Sequence, residues 1–574
     1  MKPRTAAYVV VAWAVATAIA CLVVHRTFAL RVDEAHPRAI VATVWAGGAV
    51  VGRAVVAHEG DSDPGIAAAL AEHPGATLAH ERVVGEGPIV ARPELAFMFS
   101  VVPGRDGIAA TLDGRTVYVT PDELLARQAY DHGLSIAAVQ LSIGLDVPTT
   151  LAMLAERLGV SARDVLDRAA LSRIRVSRHS RPRSTLAPDS FDAASARRGA
   201  LAAARYLARN TDSEGRFRYL VEAPTNRELP GYDWPRHAGA TYFLAEAAAA
   251  SDGDPDIAFA ALRAAGYLRD HALVPCGLLR CIGDGAVVDV GSAALAILAF
   301  AEIARTGLDP AYAPLVRDLA AFLRSQQRAD GELMHEYDRA AGRPIDVQRL
   351  YFSGEAALAL SRAHALLGDP RDLEAARRAL HHLVHGAWSF FGSRYYWGEE
   401  HWTCQAADDL WDRAPSEEAL DFCLGWAAYN RKLMYGAADT ALDADGAYGV
   451  GPVVTPRLTP AGSRSEATAA TLDMARRAGR PREQLEALDG QLRRSLALLL
   501  RQQFALSPGL YPTYLLADPH AVDGAVPGSE VDWDLRIDYS QHAGNALLRA
   551  AGQAGPPTNV QGEQPGESLR TKSW

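Results

Sequence analysis

The sequence predicts a mainly α fold in which six helical hairpins close into an (α/α)6 toroid, preceded by a small α+β domain and an N-terminal membrane-spanning or signal segment. Three observations lead to the toroid: a degenerate repeat of helix pairs over residues 193–554, second helices that are apolar on most faces, and long polar and aromatic loops. Helices that are apolar on most faces are buried on most faces, whereas the amphipathic partner helices bury one face only. A buried ring inside a solvated ring satisfies both patterns. An open α-solenoid is the alternative, but its repeats are shorter.

The composition restricts the class of protein. The 574 residues are 49% hydrophobic and 22% charged, which is typical of a folded globular chain. The net charge of -10 and the pI near 6.0 give no support to a nucleic-acid partner, which needs a basic face. A mean hydropathy of -0.05 excludes a polytopic membrane protein.

Residues 1–30 have the pattern of an export signal. Lys2 and Arg4 precede an uncharged stretch, residues 6–24, that is just long enough to cross a bilayer. A signal peptide, a signal anchor and a lipoprotein signal at Cys21 all remain open, and a buried helix is a further alternative. The apolar run continues past its small residues, which favours an uncleaved anchor. We therefore expect a membrane-anchored protein whose bulk is extracytoplasmic, on the periplasmic side.

Four cysteines follow this segment: Cys276, Cys281, Cys404 and Cys423. An even number beyond an export signal fits two disulfides in an oxidising compartment, and the first two cysteines are spaced for a local loop staple. Four ordinary buried thiols are the alternative. The sequence contains no Cys-x-x-Cys motif, so it gives no sign of a zinc knuckle.

The region of residues 31–174 has the pattern of a small α+β domain. Two β-prone runs flank Asp113-Gly114, which is a strong signal for a two-residue hairpin turn. Pro121 opens a helix whose periodicity continues through Leu141, and a pair of helices follows.

Three shorter segments complete this outline. The hairpin that begins at residues 104–108, with the proline and helix after it, resembles the AMMECR-type domain, although the resemblance carries no diagnostic site. Residues 175–192 are dense in Arg, Ser and Pro and predict a basic linker. Residues 555–574 are rich in Pro, Gly and Gln and predict a disordered tail.

The repeat gives the positions of the helices. The apolar second helices are expected to begin near residues 236, 290, 352, 416, 464 and 540. Their amphipathic partners are expected at 194–209, 256–271, 312–327, 370–385 and 482–503, and the fourth unit is the least regular. If the ring closes, the first and last second helices become neighbours. His237 and His542, which lie in the two His-Ala-Gly triplets of the chain, would then meet at one rim, unless the triplets repeat by chance.

Polar residues gather just before and at the start of the second helices, whose N-termini favour an anionic ligand. The candidate catalytic residues are Glu355, Asp233, His237, Tyr351, Asp538 and His542. The candidate substrate-binding residues are Arg236, Trp234, Arg349, Trp397, His401, Trp402, Arg464 and Arg536. No metal or cofactor is expected, and a metal set of His237, His542 and Asp538 is kept as an alternative.

These residue types suit a sugar, because aromatic faces stack on sugar rings while carboxylates and arginines bind hydroxyl and acidic groups. Paired carboxylates could cleave a glycosidic bond, and a Tyr with a Glu or His could move a proton beside a carboxylate. Glu355 is the strongest single candidate, since it lies inside an otherwise apolar helix. Asp233, Asp538 and Glu466 also have a structural explanation, because carboxylates are favoured near helix N-termini.

The segment at residues 351–360, Tyr-Phe-Ser-Gly-Glu-Ala-Ala-Leu-Ala-Leu, with Gly-Asp-Pro at residues 368–370, looks like the inner-hairpin signatures of six-hairpin toroid proteins. These include the C-terminal region of glucuronyl C5-epimerase-like proteins and other carbohydrate-active toroids. The resemblance implies a glycan in a central funnel and identifies no catalytic pair.

We therefore expect an extracytoplasmic enzyme that acts on a uronate-bearing glycan, as an epimerase, hydrolase or lyase. The alternative is a non-catalytic envelope protein that binds a glycan or peptide. An enzyme should bring several candidate residues together around one pocket.

Overall fold

The computed structural model describes residues 30, 32–130, 133–136, 139–142, 144–178, 191–386, 395, 401–439, 443–449, 454–505 and 512–552. The proposed export segment, residues 179–190 of the linker and the tail lie outside these residues. Within the described part of the chain, no helix has both the length and the apolarity needed to span a membrane. The predicted anchor and location therefore stay predictions.

The first region is built on a six-stranded antiparallel sheet with the order β2-β1-β3-β8-β4-β5. Its strands, with a separate two-stranded hairpin β6-β7, are β1 (Ala39–Ala46), β2 (Ala49–Val56), β3 (Thr77–Pro88), β4 (Asp106–Leu112), β5 (Arg115–Val119), β6 (Gly133–Ile136), β7 (Val139–Ser142) and β8 (Ala170–Arg178). Its helices are α1 (Pro64–Glu72), α2 (Glu94–Met98), α3 (Pro121–Ala126), α4 (Val147–Leu158) and α5 (Ala162–Arg168).

Local sequence signals predict part of this region correctly. The hairpin turn at Asp113-Gly114 is confirmed, since both residues have the positive φ that a tight two-residue turn requires. The helix that opens at Pro121 ends at Ala126 and does not reach Leu141, so the longer helix was wrong. The linker also begins later than residue 175, because strand β8 continues to Arg178 in the middle of the sheet.

In the described residues that follow, six outer and six inner helices form the remainder. The outer helices are α6 (Ala193–Arg209), α8 (Pro255–Ala272), α10 (Ala313–Ser325), α12 (Pro370–His385), α14 (Glu417–Arg431) and α16 (Arg482–Gln502). The inner helices are α7 (Trp234–Ala250), α9 (Val290–Arg305), α11 (Phe352–Leu367), α13 (Trp402–Leu410), α15 (Thr459–Arg477) and α18 (Ile537–Ala550), and a one-turn helix, α17 (Pro519–Val522), precedes the last of them.

The six inner helices close into a ring. Each packs against the next in the order α7, α9, α11, α13, α15 and α18, and α18 packs back against α7. The outer helices pack around them, with α8 on α7, α12 on α11 and α16 on α15. The closed circuit excludes an open solenoid and gives the (α/α)6 toroid.

The fourth inner helix is not the one that the repeat predicted. It is α13, whereas the segment that begins after Ser416 is the outer helix α14. Helix α13 has only nine residues and carries Asp408 and Asp409, so it lacks a long apolar run. Arginines of other inner helices neutralise both carboxylates, and this pairing across the ring is not visible in the sequence.

Short strands in the loops collect at the N-terminal ends of the inner helices, which we call the mouth. The strand β9 (Leu220–Glu222) lies between β10 (Arg227–Glu228) and β16 (Asp534–Arg536), and so joins the loop before α7 to the loop before α18. The other strands are β11 (Leu273–Cys276), β12 (Leu279–Ile282), β13 (Val287–Asp289), β14 (Glu336–Asp338) and β15 (Arg343–Ile345). Both predicted disulfides are present, one across β11-β12 and one, Cys404–Cys423, between α13 and α14.

The C-terminal ends of the inner helices meet in a network of buried charges. Arg362 of α11 contacts Asp409 of α13 and lies 3.5 Å from Glu302 of α9. Arg549 of α18 contacts Asp408 of α13 in the same layer. Because each buried charge has a partner of opposite sign, this layer closes one end of the ring with satisfied polar groups.

A glycine allows the ring to close. A Cβ placed on Gly544 of α18 would lie 2.0 Å from the Cζ of Phe243 on α7, and the phenyl ring is fully buried. We expect Gly544→Ala to lower the free energy of unfolding by about 1–3 kcal/mol, as overpacking of a core does. Urea unfolding followed by circular dichroism measures this change.

Gly490→Ala is the matched control, since a Cβ there meets no atom within 4 Å on the exposed face of α16. This change is expected to leave stability unchanged or raise it by about 0.5–1 kcal/mol. Equal stability of the Gly544→Ala protein and the wild type would contradict the packing of α18 on α7.

Candidate active site

Three side chains from different parts of the ring meet at the mouth. His401 immediately precedes α13, Glu466 lies on α15 and His542 lies on α18. His542 Nδ1 is 2.9 Å from Glu466 Oε2, and His401 Nε2 is 3.7 Å from the same oxygen. The centroids of the two imidazole rings are 5.2 Å apart, and the rings are nearly perpendicular, at 79°. We call these residues the His–Glu–His cluster.

Local packing fixes the helices that carry the cluster. A Cβ on Gly462 of α15 would lie 3.0 Å from the Cβ of His542, so the glycine lets α15 approach α18 closely. The disulfide between Cys404 and Cys423 ties the first turn of α13 to α14, directly after His401. The cluster therefore stands on a rigid part of the ring.

Glu466 and His542 hold a proton more firmly than they would in water. Burial raises the pKa of Glu466, and this effect exceeds the opposing attraction of His542. Burial alone would lower the pKa of His542, but the negative charge of Glu466 and the hydrogen bond to it raise that pKa above its usual 6.5. The pair therefore keeps a proton near neutral pH.

Two aromatic residues border the cluster. The ring of Trp402 lies 4.8 Å from that of His401 and 6.1 Å from that of His542. The ring of Tyr351 meets His401 edge-on at 5.7 Å. Tyr351 also has a φ of 77°, a left-handed value that residues with side chains rarely adopt and that is often found at functional sites.

A group of opposite charges lies beside the cluster. Arg536 donates two hydrogen bonds to Asp538, at 2.6 and 2.8 Å, and Arg236 Nε lies 3.4 Å from the same carboxylate and also contacts Asp233. Burial would raise the pKa of Asp538, but Arg536 and Arg236 together hold it well below its usual range. Asp538 therefore stays ionised, and its charge in turn stabilises protonated His542.

His237 does not meet His542, although α7 and α18 are neighbours as expected. Its ring points toward the outer helix α8, where Nε2 bonds the carbonyl of Ala264 at 2.9 Å, and Nδ1 lies 2.7 Å from the hydroxyl of Tyr232. Trp234 belongs to the same outward aromatic group. Burial lowers the pKa of His237 to about 4, so this histidine is neutral and both its nitrogens are engaged.

Glu355 is buried as predicted, but in the contact between α9 and α11. A Cβ on Gly291 of α9 would lie 2.7 Å from Glu355 Oε2 and 2.4 Å from the ring of Phe352, so the missing side chain makes room for both. The structure thus places Glu355 on the α9 side of its helix.

The remaining candidates are distributed around the mouth. Arg349 is more than half exposed and pairs with Glu336 of β14. Arg464 is buried, with its guanidinium 5.0 Å from the centre of the Tyr448 ring. Trp397 lies outside the described residues.

Ser353 and His335 are arranged like a nucleophile and its base, but their hydrogen bonds exclude that role. The backbone N–H of Arg349 donates to His335 Nδ1 at 2.7 Å, so Nε2 carries the ring proton and donates to Ser353 Oγ, also at 2.7 Å. The Ser353 hydroxyl then donates to Glu332, which also binds His382. Because His335 cannot accept the serine proton, these contacts brace the loop.

One cavity among the described residues lies at the other end of the ring. It has a volume of about 410 Å³ and is lined by the last turns of α15 and α18 and the start of α6. Its charged residues pair with one another, as Arg476 does with Asp473 and Arg493 with Asp489. None of the candidate residues lines this cavity, so it is not the pocket that the sequence predicts around them.

The cluster could also hold a metal ion. His401, Glu466 and His542 each offer one ligand atom, and these atoms all lie within 4.8 Å of one another. Two imidazoles and a carboxylate suit zinc and similar ions. This set shares only His542 with the metal alternative that the sequence suggested.

The sequence places Glu466 among the polar residues at the start of a second helix, with a structural explanation beside a chemical one, but not among the candidate catalytic residues. The missed signal is the one that drew attention to Glu355, a glutamate among small residues in Ser465-Glu466-Ala467. Asn545, whose side chain bonds Glu466, gave no comparable signal because an exposed helix position would accept it equally.

No protein-family model matches the sequence, and no curated protein matches it. Solved structures of similar shape include a D-mannose isomerase, at 13% identity and a TM-score of 0.49, covering 63% of this chain and 97% of that one. A cellobiose 2-epimerase from Spirochaeta thermophila has 12% identity and a TM-score of 0.46, covering 64% of this chain and 98% of that one. An unsaturated glucuronyl hydrolase specific for heparin has 14% identity and a TM-score of 0.44, covering 63% of this chain and 98% of that one.

These similarities are weak, so the assignment of the toroid rests on the closed packing of the inner helices. The comparisons give no support to the AMMECR-type resemblance of the first region.

Replacing Glu466 by Gln is expected to lower the pKa of His542, because the substitution removes the charge that stabilises its protonated form while burial remains. An NMR titration of the imidazole signals between pH 4 and pH 9 measures the shift, with exposed His58 as an internal reference. An unchanged His542 titration would show that the two side chains do not interact.

Proposed function

We propose that this protein is a carbohydrate-active enzyme that moves a proton on a sugar, as an epimerase or isomerase does, with His401 and His542 as its acid–base pair. The observation that carries the proposal is the convergence of two imidazoles on one buried carboxylate at the mouth of the ring. General acid–base catalysis needs groups that exchange a proton near the working pH, and histidine is the side chain best suited to it.

The roles follow from the surroundings of each group. His542, kept protonated by Glu466 and Asp538, is suited to donate a proton to a carbonyl oxygen of the open-chain sugar. His401 is suited to take a proton from the adjacent carbon and return it. Tyr351, which is partly exposed, offers an aromatic face against which a sugar can pack, while the buried ring of Trp402 packs against His401.

A glycosidase mechanism with two carboxylates is less well supported. It needs one carboxyl group that stays protonated and a second that acts freely as nucleophile or base. Asp538 is ionised and bound by two arginines, while the proton near Glu466 is shared with His542. Proton transfer by imidazoles needs no free carboxyl group, so it is compatible with these contacts of Asp538 and Glu466.

The substrate class is proposed from the mouth as a whole. Arg236 keeps 36% of its side chain exposed, so the carboxylate of a uronate could reach it beside Asp233. Both arginines of this group already have carboxylate partners, so a neutral sugar is also compatible. We propose a glycan or free sugar, with a uronate as the first acidic substrate to test, and an extracytoplasmic location at a membrane.

Proton transfer can be detected without knowing the product. Wild-type protein is incubated in D2O with mannose, glucose, cellobiose and glucuronate, and deuterium at the carbon next to the carbonyl is followed by NMR. We expect incorporation with at least one sugar, and His542→Gln and His401→Gln to slow it by about 10²–10⁴-fold, as loss of a general acid or base does. His271→Gln, on the outer helix α8, is the matched control.

Three results would separate the alternatives. Binding of a glycan without deuterium exchange would indicate a binding protein, and release of a reducing end would indicate a hydrolase. Loss of exchange with a chelator, restored by zinc, would assign the cluster to metal chemistry. Exchange that is unchanged in His542→Gln would contradict the proposed role of this residue.

A further inference from the structure

The first region packs against the loops that form the mouth. The hydroxyl of Tyr514 donates to Asp122 Oδ2 at 2.7 Å, and its ring lies 5.9 Å from that of Trp45 in β1. Gln128 Oε1 accepts a hydrogen bond from the backbone N–H of Trp533 at 3.1 Å. The two hydrogen bonds join residues that are 392 and 405 positions apart in the chain.

Gln128 occupies a position that glycine usually takes. It follows the C-cap of α3 with a φ of 52°, and its N–H bonds Leu125 while that of Ala129 bonds Leu124. This is the Schellman pattern of helix ends, in which the left-handed residue is mostly glycine because a Cβ is strained there. A glutamine here keeps the strain and gains a side chain that reaches the toroid.

The hydrogen bond between Gln128 and Trp533 lies directly before the start of β16. The carbonyl of Trp533 accepts from Ala223 N–H at 3.0 Å, so the two backbone groups of Trp533 are held by the first region and by the loop before α7. Strand β16 follows at once, and its last residue, Arg536, binds Asp538 at the start of α18. Asp538 lies one helical turn before His542.

We propose that Gln128 is a positioning residue for the candidate active site: by holding Trp533, it fixes β16 and so places Arg536 and Asp538 beside His542. The first region is then part of the catalytic unit and not an independent attachment. The effect on turnover rests on the proposed function, whereas the effect on geometry does not.

Gln128→Gly is the decisive variant. It removes the acceptor oxygen and also relieves the left-handed strain, so the first region is not expected to lose stability. Amide exchange of Trp533, followed by hydrogen–deuterium exchange, is expected to become about tenfold faster, as for a lost backbone hydrogen bond. The amide of Ile537, which directly follows β16 and donates to the carbonyl of Tyr219 at 3.2 Å, is expected to exchange faster as well, because β16 is no longer held at its start.

Asp113→Gly is the matched control, since Asp113 is another left-handed residue of the first region and lies at the β4-β5 turn, where it pairs only with Arg168. This substitution should change neither of the two quantities measured for Gln128→Gly. Gln128→Glu retains an acceptor oxygen and should restore slow exchange at Trp533.

The proposal is overturned if Gln128→Gly leaves the exchange of Trp533 or of Ile537 unchanged, or if Asp113→Gly produces the same effects. Where the wild type transfers protons on a sugar, Gln128→Gly should also lower kcat and shift its pH profile. Absence of any sugar chemistry in the wild type would defeat the proposed function, while the exchange results would still decide the role of Gln128.

Discussion

The site depends on the packing of α18 between its two neighbours in the ring, α7 and α15. Phe243 fills the space that Gly544 leaves open, and this seam brings the last inner helix back to the first. On its other side α18 packs on α15 across Gly462, which places His542 against Glu466. Small residues at helix contacts set the distance between the helices, so two glycines determine where the imidazole stands.

The ring has two chemically different ends. At the C-terminal ends of the inner helices, buried arginines and carboxylates are paired across the ring. At the mouth, helix N-termini and half-buried polar side chains face the loops. The His–Glu–His cluster lies at this end, where a substrate can approach and where positive helix ends favour oxygen-rich ligands.

The fold could be predicted from the sequence wherever burial leaves a simple pattern. Helix α9 is apolar on nearly every face, and this pattern alone indicates an inner position. The pattern failed for α13, because Asp408 and Asp409 are buried through arginines distant in the chain. It also failed at Pro121, where a left-handed Gln128 ends the helix that periodicity would have continued.

The site could be predicted only in part, for a related reason. The sequence indicated polar residues at the starts of the inner helices, and His542, His401, Trp402 and Tyr351 do come together there. It could not show the direction of a side chain. His237 has the same local sequence as His542, yet it turns outward, because Tyr232 and the carbonyl of Ala264 satisfy both of its nitrogens.

The central claim is that the packing of α18 on α15 brings His542 into contact with Glu466, 76 residues away in the sequence. A double-mutant cycle in unfolding free energy, with Glu466→Gln, His542→Gln and the double variant, measures this contact directly. A coupling energy of about 0.5–3 kcal/mol is expected for two buried, hydrogen-bonded partners. Additivity of the two single changes, to within about 0.3 kcal/mol, would contradict the contact and with it the proposed site.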